Sequence, residues 1–217
     1  MKCRDSAVSY IHVSHFILIR VNNYMTHVTK SMFVTSIIAI SLTLFSLHSF
    51  AKSVSIDVGP MVGDKAPSIT VIDKNRKTVN IDDLTADKGL IILFFRSADW
   101  CPFCKKHLVE LQGYADKFKA LGYGVAAVSY DDTEILKSFT EEHNLSYPLL
   151  SDQLAATVKA YGVLNKDYAM GDDNYGIPYP GVVVINPDGK IDHKYFFKGY
   201  RKRVKFVELY DQLSAVK

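Results

Sequence analysis

The chain has 217 residues, 48% of them hydrophobic, enough apolar material for one domain of ordinary size with a packed core. Its formal charge of +3 does not belong to that domain, because Lys2, Arg4, Arg20 and Lys30 stand against Asp5 alone in residues 1–51. Residues 52–217 are close to neutral, which argues against nucleic acid as a partner.

Lys30-Ser31 precedes an uncharged apolar run that begins at Met32-Phe33-Val34 and ends in Leu47-His48-Ser49-Phe50-Ala51. Small residues at Ser49 and Ala51 fit the cleavage pattern of a secretory signal peptide. Residues 1–51 are therefore expected to be a leader and 52–217 the domain. The residues before Met25 are too many for such a peptide, so translation is expected to start at Met25 or Met32. The alternative is an uncleaved membrane anchor over residues 32–47, although that run is short for a spanning helix. Either way the domain is expected outside the cytoplasm, in the periplasm if the source is bacterial. Cysteine use agrees: Cys3 falls in the leader, and the domain keeps only Cys101 and Cys104.

The domain begins with a loose lead-in and a turn at Gly63-Asp64-Lys65-Ala66-Pro67. Ile69–Ile72 and Thr78–Ile81 read as a hairpin around Asp73-Lys74-Asn75-Arg76. Asp82-Asp83-Leu84 starts a short helical turn. Leu90–Phe95 is apolar without alternation, the pattern of a strand buried on both faces. From Pro102 to Leu121, apolar residues recur at Leu108, Leu111, Ala115, Phe118 and Leu121, one face of a helix closed by Gly122. Tyr123–Tyr130 is a second buried strand. A cap at Asp131-Asp132-Thr133 opens a helix that ends near Asn144. The order strand, helix, strand, helix predicts a parallel βαβ unit. An extended piece at Tyr147–Asp152 leads to a short helix from Gln153 to Tyr161 and a polar loop from Asn165 to Gly176. Val182–Ile185, Asn186-Pro187-Asp188-Gly189 and Ile191–Phe197 form a hairpin, and Val204–Leu213 a closing helix.

The chemistry concentrates in Trp100-Cys101-Pro102-Phe103-Cys104, between the strand at Leu90 and the helix. Two thiols three positions apart can close into one small disulfide ring. A helix N-terminus offers free N–H groups and partial positive charge that stabilise a thiolate, the nucleophile of thiol–disulfide exchange. Pro102 fits the first turn, where its missing N–H costs nothing. A structural zinc site needs four ligands, and there is no second cysteine pair to supply them. Neither a metal nor a cofactor is expected. Asp172 and Asp173 fall far short of a calcium shell.

Hairpin, buried strand, Trp-Cys-x-x-Cys helix, βαβ, then Pro180-Gly181-Val182-Val183-Val184-Ile185-Asn186-Pro187-Asp188-Gly189-Lys190 resembles the thioredoxin fold. More narrowly the chain is similar to the alkyl-hydroperoxide-reductase/thiol-specific-antioxidant group, which holds peroxiredoxins and exported thioredoxin-like reductases. The resemblance covers roughly Gly59 to the C-terminus. It implies an α/β protein with a central mixed β-sheet flanked by helices and an N-terminal β-hairpin extension. The peroxiredoxin pattern Pro-x-x-x-Thr-x-x-Cys lays its attacking cysteine on Cys104. Its Thr falls on Cys101, its Pro on Ser97 and its distant Arg on Tyr179, so one position of four matches. On the thioredoxin side Trp100, Cys101 and Cys104 match. Tyr179-Pro180 sits where that family carries a cis-proline beside the disulfide, and the alternative is that Pro178 and Pro180 cap an edge strand. Thioredoxin's buried Asp is replaced by Phe95. The Glu that exported reductases carry beyond the second Cys is replaced by His107.

The favoured expectation is a thiol–disulfide oxidoreductase acting on protein disulfides. Cys101 is its exposed nucleophile and Cys104 resolves, while Trp100, Pro102, Tyr179 and Pro180 shape the site and an upstream thiol reductase recharges the pair. His107 either stabilises or deprotonates Cys104, or is a solvated surface residue. The alternative is a thiol peroxidase, with Cys104 attacking peroxide and Cys101 resolving the sulfenic acid. A copper chaperone using both cysteines and His193 is the third reading. The basic run Arg201-Lys202-Arg203 reads as a solvated helix start.

Overall fold

The computed structural model describes residues 56–215. The leader, its cleavage site, the alternative anchor and the two candidate start residues lie outside them. Among the described residues, no helix is long and apolar enough to cross a membrane.

Among the described residues seven strands form one mixed sheet. In chain order they are β1 (Val71–Ile72), β2 (Thr78–Val79), β3 (Gly89–Phe94), β4 (Tyr123–Ser129), β5 (Leu149–Ser151), β6 (Gly181–Ile185) and β7 (Ile191–Phe196). Across the sheet the order is β2-β1-β5-β4-β3-β6-β7. β3 pairs in parallel with β4 and antiparallel with β6, so it lies inside the sheet. Among the described residues four helices pack on the sheet: α1 (Pro102–Ala120), α2 (Thr133–Glu142), α3 (Ala156–Ala160) and α4 (Phe206–Ser214). The expected mixed sheet with its N-terminal hairpin is thus present, although that hairpin keeps only two residues in each strand.

The unalternating sequence of β3 follows from burial on both faces. Ile91, Leu93 and Phe95 enter a core shared with α1, α2 and α4. Leu90, Ile92 and Phe94 enter a second core that includes Val71, Val158 and Tyr161. The β3–β4 crossover runs through α1, whose buried stripe is Cys104, His107, Leu108, Leu111, Ala115 and Phe118. Gly122 ends α1 at φ +94°, a conformation that disfavours any residue with a Cβ. α2 starts from Asp132, whose carboxylate accepts the Ile135 N–H at 2.9 Å.

Two expectations change here. Pro180 precedes β6, which lies between β3 and β7 and is not an edge strand. The Tyr179–Pro180 peptide is trans, as are all peptide bonds among the described residues. The Tyr179 N–H donates to the Val163 carbonyl at 2.7 Å, which ties the segment before Pro180 to the loop after α3.

Candidate active site

The site lies where β3 ends and α1 begins. Register pairs Phe94 with Gly181, so Pro180 is placed at the sheet end from which the Phe95–Cys101 loop departs. That loop is fixed by a buried carboxylate whose sequence context suggests only a helix cap. Asp131, just past β4, accepts the Ala98 N–H at 2.7 Å and the Ser129 hydroxyl at 3.0 Å. Burial pushes its carboxyl above the usual range, and the donated hydrogen bonds oppose that shift. The Ser97 hydroxyl accepts the Asp99 N–H at 2.9 Å. The chain therefore arrives at Cys101 in one orientation.

Cys101 is the N-cap of α1 and Pro102 its first helical residue. Cys101 and Cys104 form a disulfide, with their Cα atoms 5.2 Å apart. The Cys104 N–H points at the Cys101 sulfur at 3.3 Å, the capping geometry that favours negative charge there. Trp100, at 38% exposure, lies at the rim, and its indole N–H donates to the Tyr130 hydroxyl at 2.9 Å. The expected exposure of Cys101 does not hold, since both cysteines are only 1% exposed. In the oxidised pair the sulfurs turn into the core shared with α1, leaving Trp100 and Phe103 outside.

His107 is not a surface residue. It is 3% exposed, its ring stacks on Phe206 at 4.5 Å, and its Nε2 lies 2.9 Å from the Val204 carbonyl. Burial lowers its pKa to about 4, so it is neutral at ordinary pH and Nε2–H donates to Val204. The stabilising protonated form is thereby excluded. The ring instead clamps the start of α4 to α1. A signal was present: position 107 follows Cys104 by three and precedes Leu108 on the buried stripe.

Two arginines join the site without a sequence signal that marks them. Arg203, in a run that reads as solvated, is partly buried and places Nη2 3.8 Å from the Cys104 sulfur. Arg96, directly after the last residues of the β3 run, is 9% exposed. Its guanidinium is sandwiched between the rings of Trp100 at 4.7 Å and Tyr200 at 4.9 Å. It also lies 3.4 Å from the Tyr168 hydroxyl, so the polar loop Asn165–Gly176 does reach the site. Nothing in the local sequence distinguishes Arg203 from Arg201, because long-range packing turns one inward and leaves the other exposed.

Tyr179 packs against the second core, and its hydroxyl accepts the Lys166 N–H at 3.3 Å. His193 sits on β7 beside Gln212 of α4, at 3.3 Å, and Asp192, at 3.6 Å.

Residues 62–194 match the AhpC/TSA family. The chain is 34% identical over 112 residues to Peroxiredoxin bcp1 of Schizosaccharomyces pombe, a match covering 52% of this chain and 57% of that protein. It is 30% identical over 131 residues to Peroxiredoxin Bcp of Escherichia coli, covering 60% and 82%. With Thiol-disulfide oxidoreductase ResA of Bacillus cereus it shares 27% over 154 residues, covering 70% and 77%. The fold is similar to that of the peroxidoxin BcpB of Mycobacterium tuberculosis, with a TM-score of 0.64, 20% identity, and coverage of 72% of this chain and 97% of that one. The chain belongs to the AhpC/TSA family, and it is a thioredoxin-fold redox enzyme of the thiol–disulfide oxidoreductase or thiol peroxidase kind.

Proposed function

We propose that this domain is an exported thiol–disulfide oxidoreductase that exchanges its Cys101–Cys104 pair with a disulfide in a partner protein. The observation that carries this reading is the two-cysteine ring at the start of α1, with the Cys104 N–H aimed at the Cys101 sulfur. On reduction that N–H and the helix terminus favour the Cys101 thiolate. The thiolate attacks one sulfur of the partner disulfide, and the partner's other sulfur leaves as a thiol. Cys104 then attacks Cys101, the mixed disulfide breaks, and the partner departs with both sulfurs reduced. An upstream thiol reductase recharges the pair. The exposed rings of Trp100, Phe103 and Tyr200 offer the partner its docking rim. Export rests on the residue pattern from Lys30 to Ala51. A protein recovered from the exported fraction that begins at Lys52 is the expected outcome, and one that stays in the cytoplasm contradicts it.

A second reading is favoured by the contact between Arg203 and Cys104. A Cys104 thiolate beside a guanidinium could attack the terminal oxygen of a peroxide. The O–O bond breaks, water or an alcohol leaves, and Cys104 becomes a sulfenic acid that Cys101 condenses to the disulfide with loss of water. The two readings separate when hydrogen peroxide turnover and reduction of a protein disulfide are measured side by side with Cys101→Ser and Cys104→Ser. The oxidoreductase reading predicts disulfide exchange that is lost with Cys101→Ser and negligible peroxide turnover. Rapid peroxide turnover that is lost with Cys104→Ser would establish the peroxidase instead.

A further inference from the structure

In the disulfide form, Arg203 stands beside the Cys104 sulfur, and among the described residues neither it nor Arg96, whose charge acts on it, has an anionic partner. None of the ion pairs among the described residues includes either one. Arg96 is nine-tenths buried, and its Nε has no hydrogen-bond partner. Arg203 has its pKa lowered to about 10, by burial first and then by the charge of Arg96. Placing two cations together away from water is unfavourable unless a counter-charge meets them. The His107–Val204 hydrogen bond anchors the residue after Arg203, so the guanidinium is held against Cys104 by the same packing that joins α1 to α4. Reduction of the disulfide brings an anion, the Cys104 thiolate, to this guanidinium.

We propose that Arg203, backed by Arg96, is the counter-charge of the Cys104 thiolate and biases the Cys101–Cys104 pair toward its reduced form. The proposal rests on the oxidoreductase reading above and adds the redox poise of the same site. When two glutathione thiols reduce the pair, the Cys101–Cys104 bond breaks and one glutathione disulfide forms. Of the two protons released, one goes to Cys101 and the other to solvent, and Cys104 remains a thiolate against Arg203; Cys101 gives its proton to solvent when it attacks the partner disulfide. Favouring the reduced form raises the reduction potential, so the pair is easily recharged. In the resolving step that thiolate attacks the Cys101 sulfur of the mixed disulfide, and the partner's sulfur leaves and takes a proton from water. The neighbouring ionisable groups do not supply this charge. His107 is neutral, the Asp131 carboxylate is occupied by Ala98 and Ser129, and Asp99 is exposed and of the wrong sign. Lys105, next along α1, is at the surface side of the helix.

The test titrates Cys104 by thiolate absorbance in the full domain carrying Cys101→Ser, alone and with Arg203→Gln or Arg203→Lys. With Arg203 present the expected midpoint is below that of free cysteine, about 8.5. Arg203→Gln is expected to raise it by at least about one unit, and Arg203→Lys, which keeps the charge, to restore at least half of that difference. With both cysteines present, Arg203→Gln is expected to shift the equilibrium with a glutathione buffer at least about tenfold toward the disulfide, about 30 mV for this two-electron couple. A midpoint at or above about 8.5 with Arg203 in place overturns the proposal, whether or not the Gln variant folds. So does a midpoint, or a glutathione equilibrium, that Arg203→Gln leaves unchanged. Failure of the unmodified domain to reduce protein disulfides would instead overturn the oxidoreductase reading and leave these titrations standing.

Discussion

His107 sits one helical step beyond Cys104, and its chemistry is set by what lies over it. Stacked on Phe206 and bonded to the Val204 carbonyl, it titrates at about 4 in place of its ordinary 6.5. The unfolded chain therefore binds more protons than the folded one between those two values. The contribution of His107 to stability is complete above about pH 6.5 and is lost as the pH drops through that window toward 4, by about 3 kcal/mol in all. Denaturant titrations from pH 7 to 4 should show this loss, and His107→Gln should flatten it. Asp131 makes a different prediction. Asp131→Ala leaves the buried Ala98 N–H without its acceptor, so a loss of about 2 kcal/mol is expected in the same denaturant assay. Neither role was legible from single residues, since both depend on partners far away in the sequence.

At the scale of elements, reading from sequence succeeded where one strand or helix carries its own pattern. The unbroken apolar run of β3 announced burial on two faces, and the three-and-four spacing of α1 announced its buried stripe. It failed where one element meets another. The Arg201-Lys202-Arg203 run has the composition of a solvated helix start, and only the docking of α4 on α1 turns Arg203 toward Cys104. The same holds for Cys101, whose place at the helix start was legible while its burial was not. Backbone constraint at the sheet is testable at Gly89, which opens β3 at φ +114° and lies against the Ile185 carbonyl, where an added Cβ would overlap the oxygen. Gly89→Ala should destabilise the domain by about 2 kcal/mol or more, read as a lowered denaturation midpoint with an unchanged slope. Inside α1, Phe118→Ala removes a fully buried ring and should cost about 3–5 kcal/mol.

The described residues form a mixed sheet with a core on each face, and strand β3, inside that sheet, delivers the chain to a two-cysteine helix start. That architecture was legible because strand, Cys-x-x-Cys helix and βαβ succeed one another in order. The division of labour between the sulfurs was not, because the helix terminus favours charge on Cys101 while Arg203 favours it on Cys104. Central to the proposed function, Cys101 meets the substrate and Cys104 resolves. Trapping the covalent intermediate tests that assignment most directly. Reduced Cys104→Ser should accumulate a mixed disulfide with a disulfide-bonded protein, and peptide mapping should place the link on Cys101. No adduct with Cys104→Ser, together with an adduct through Cys104 in Cys101→Ser, would contradict the assignment and exchange the roles of the two cysteines.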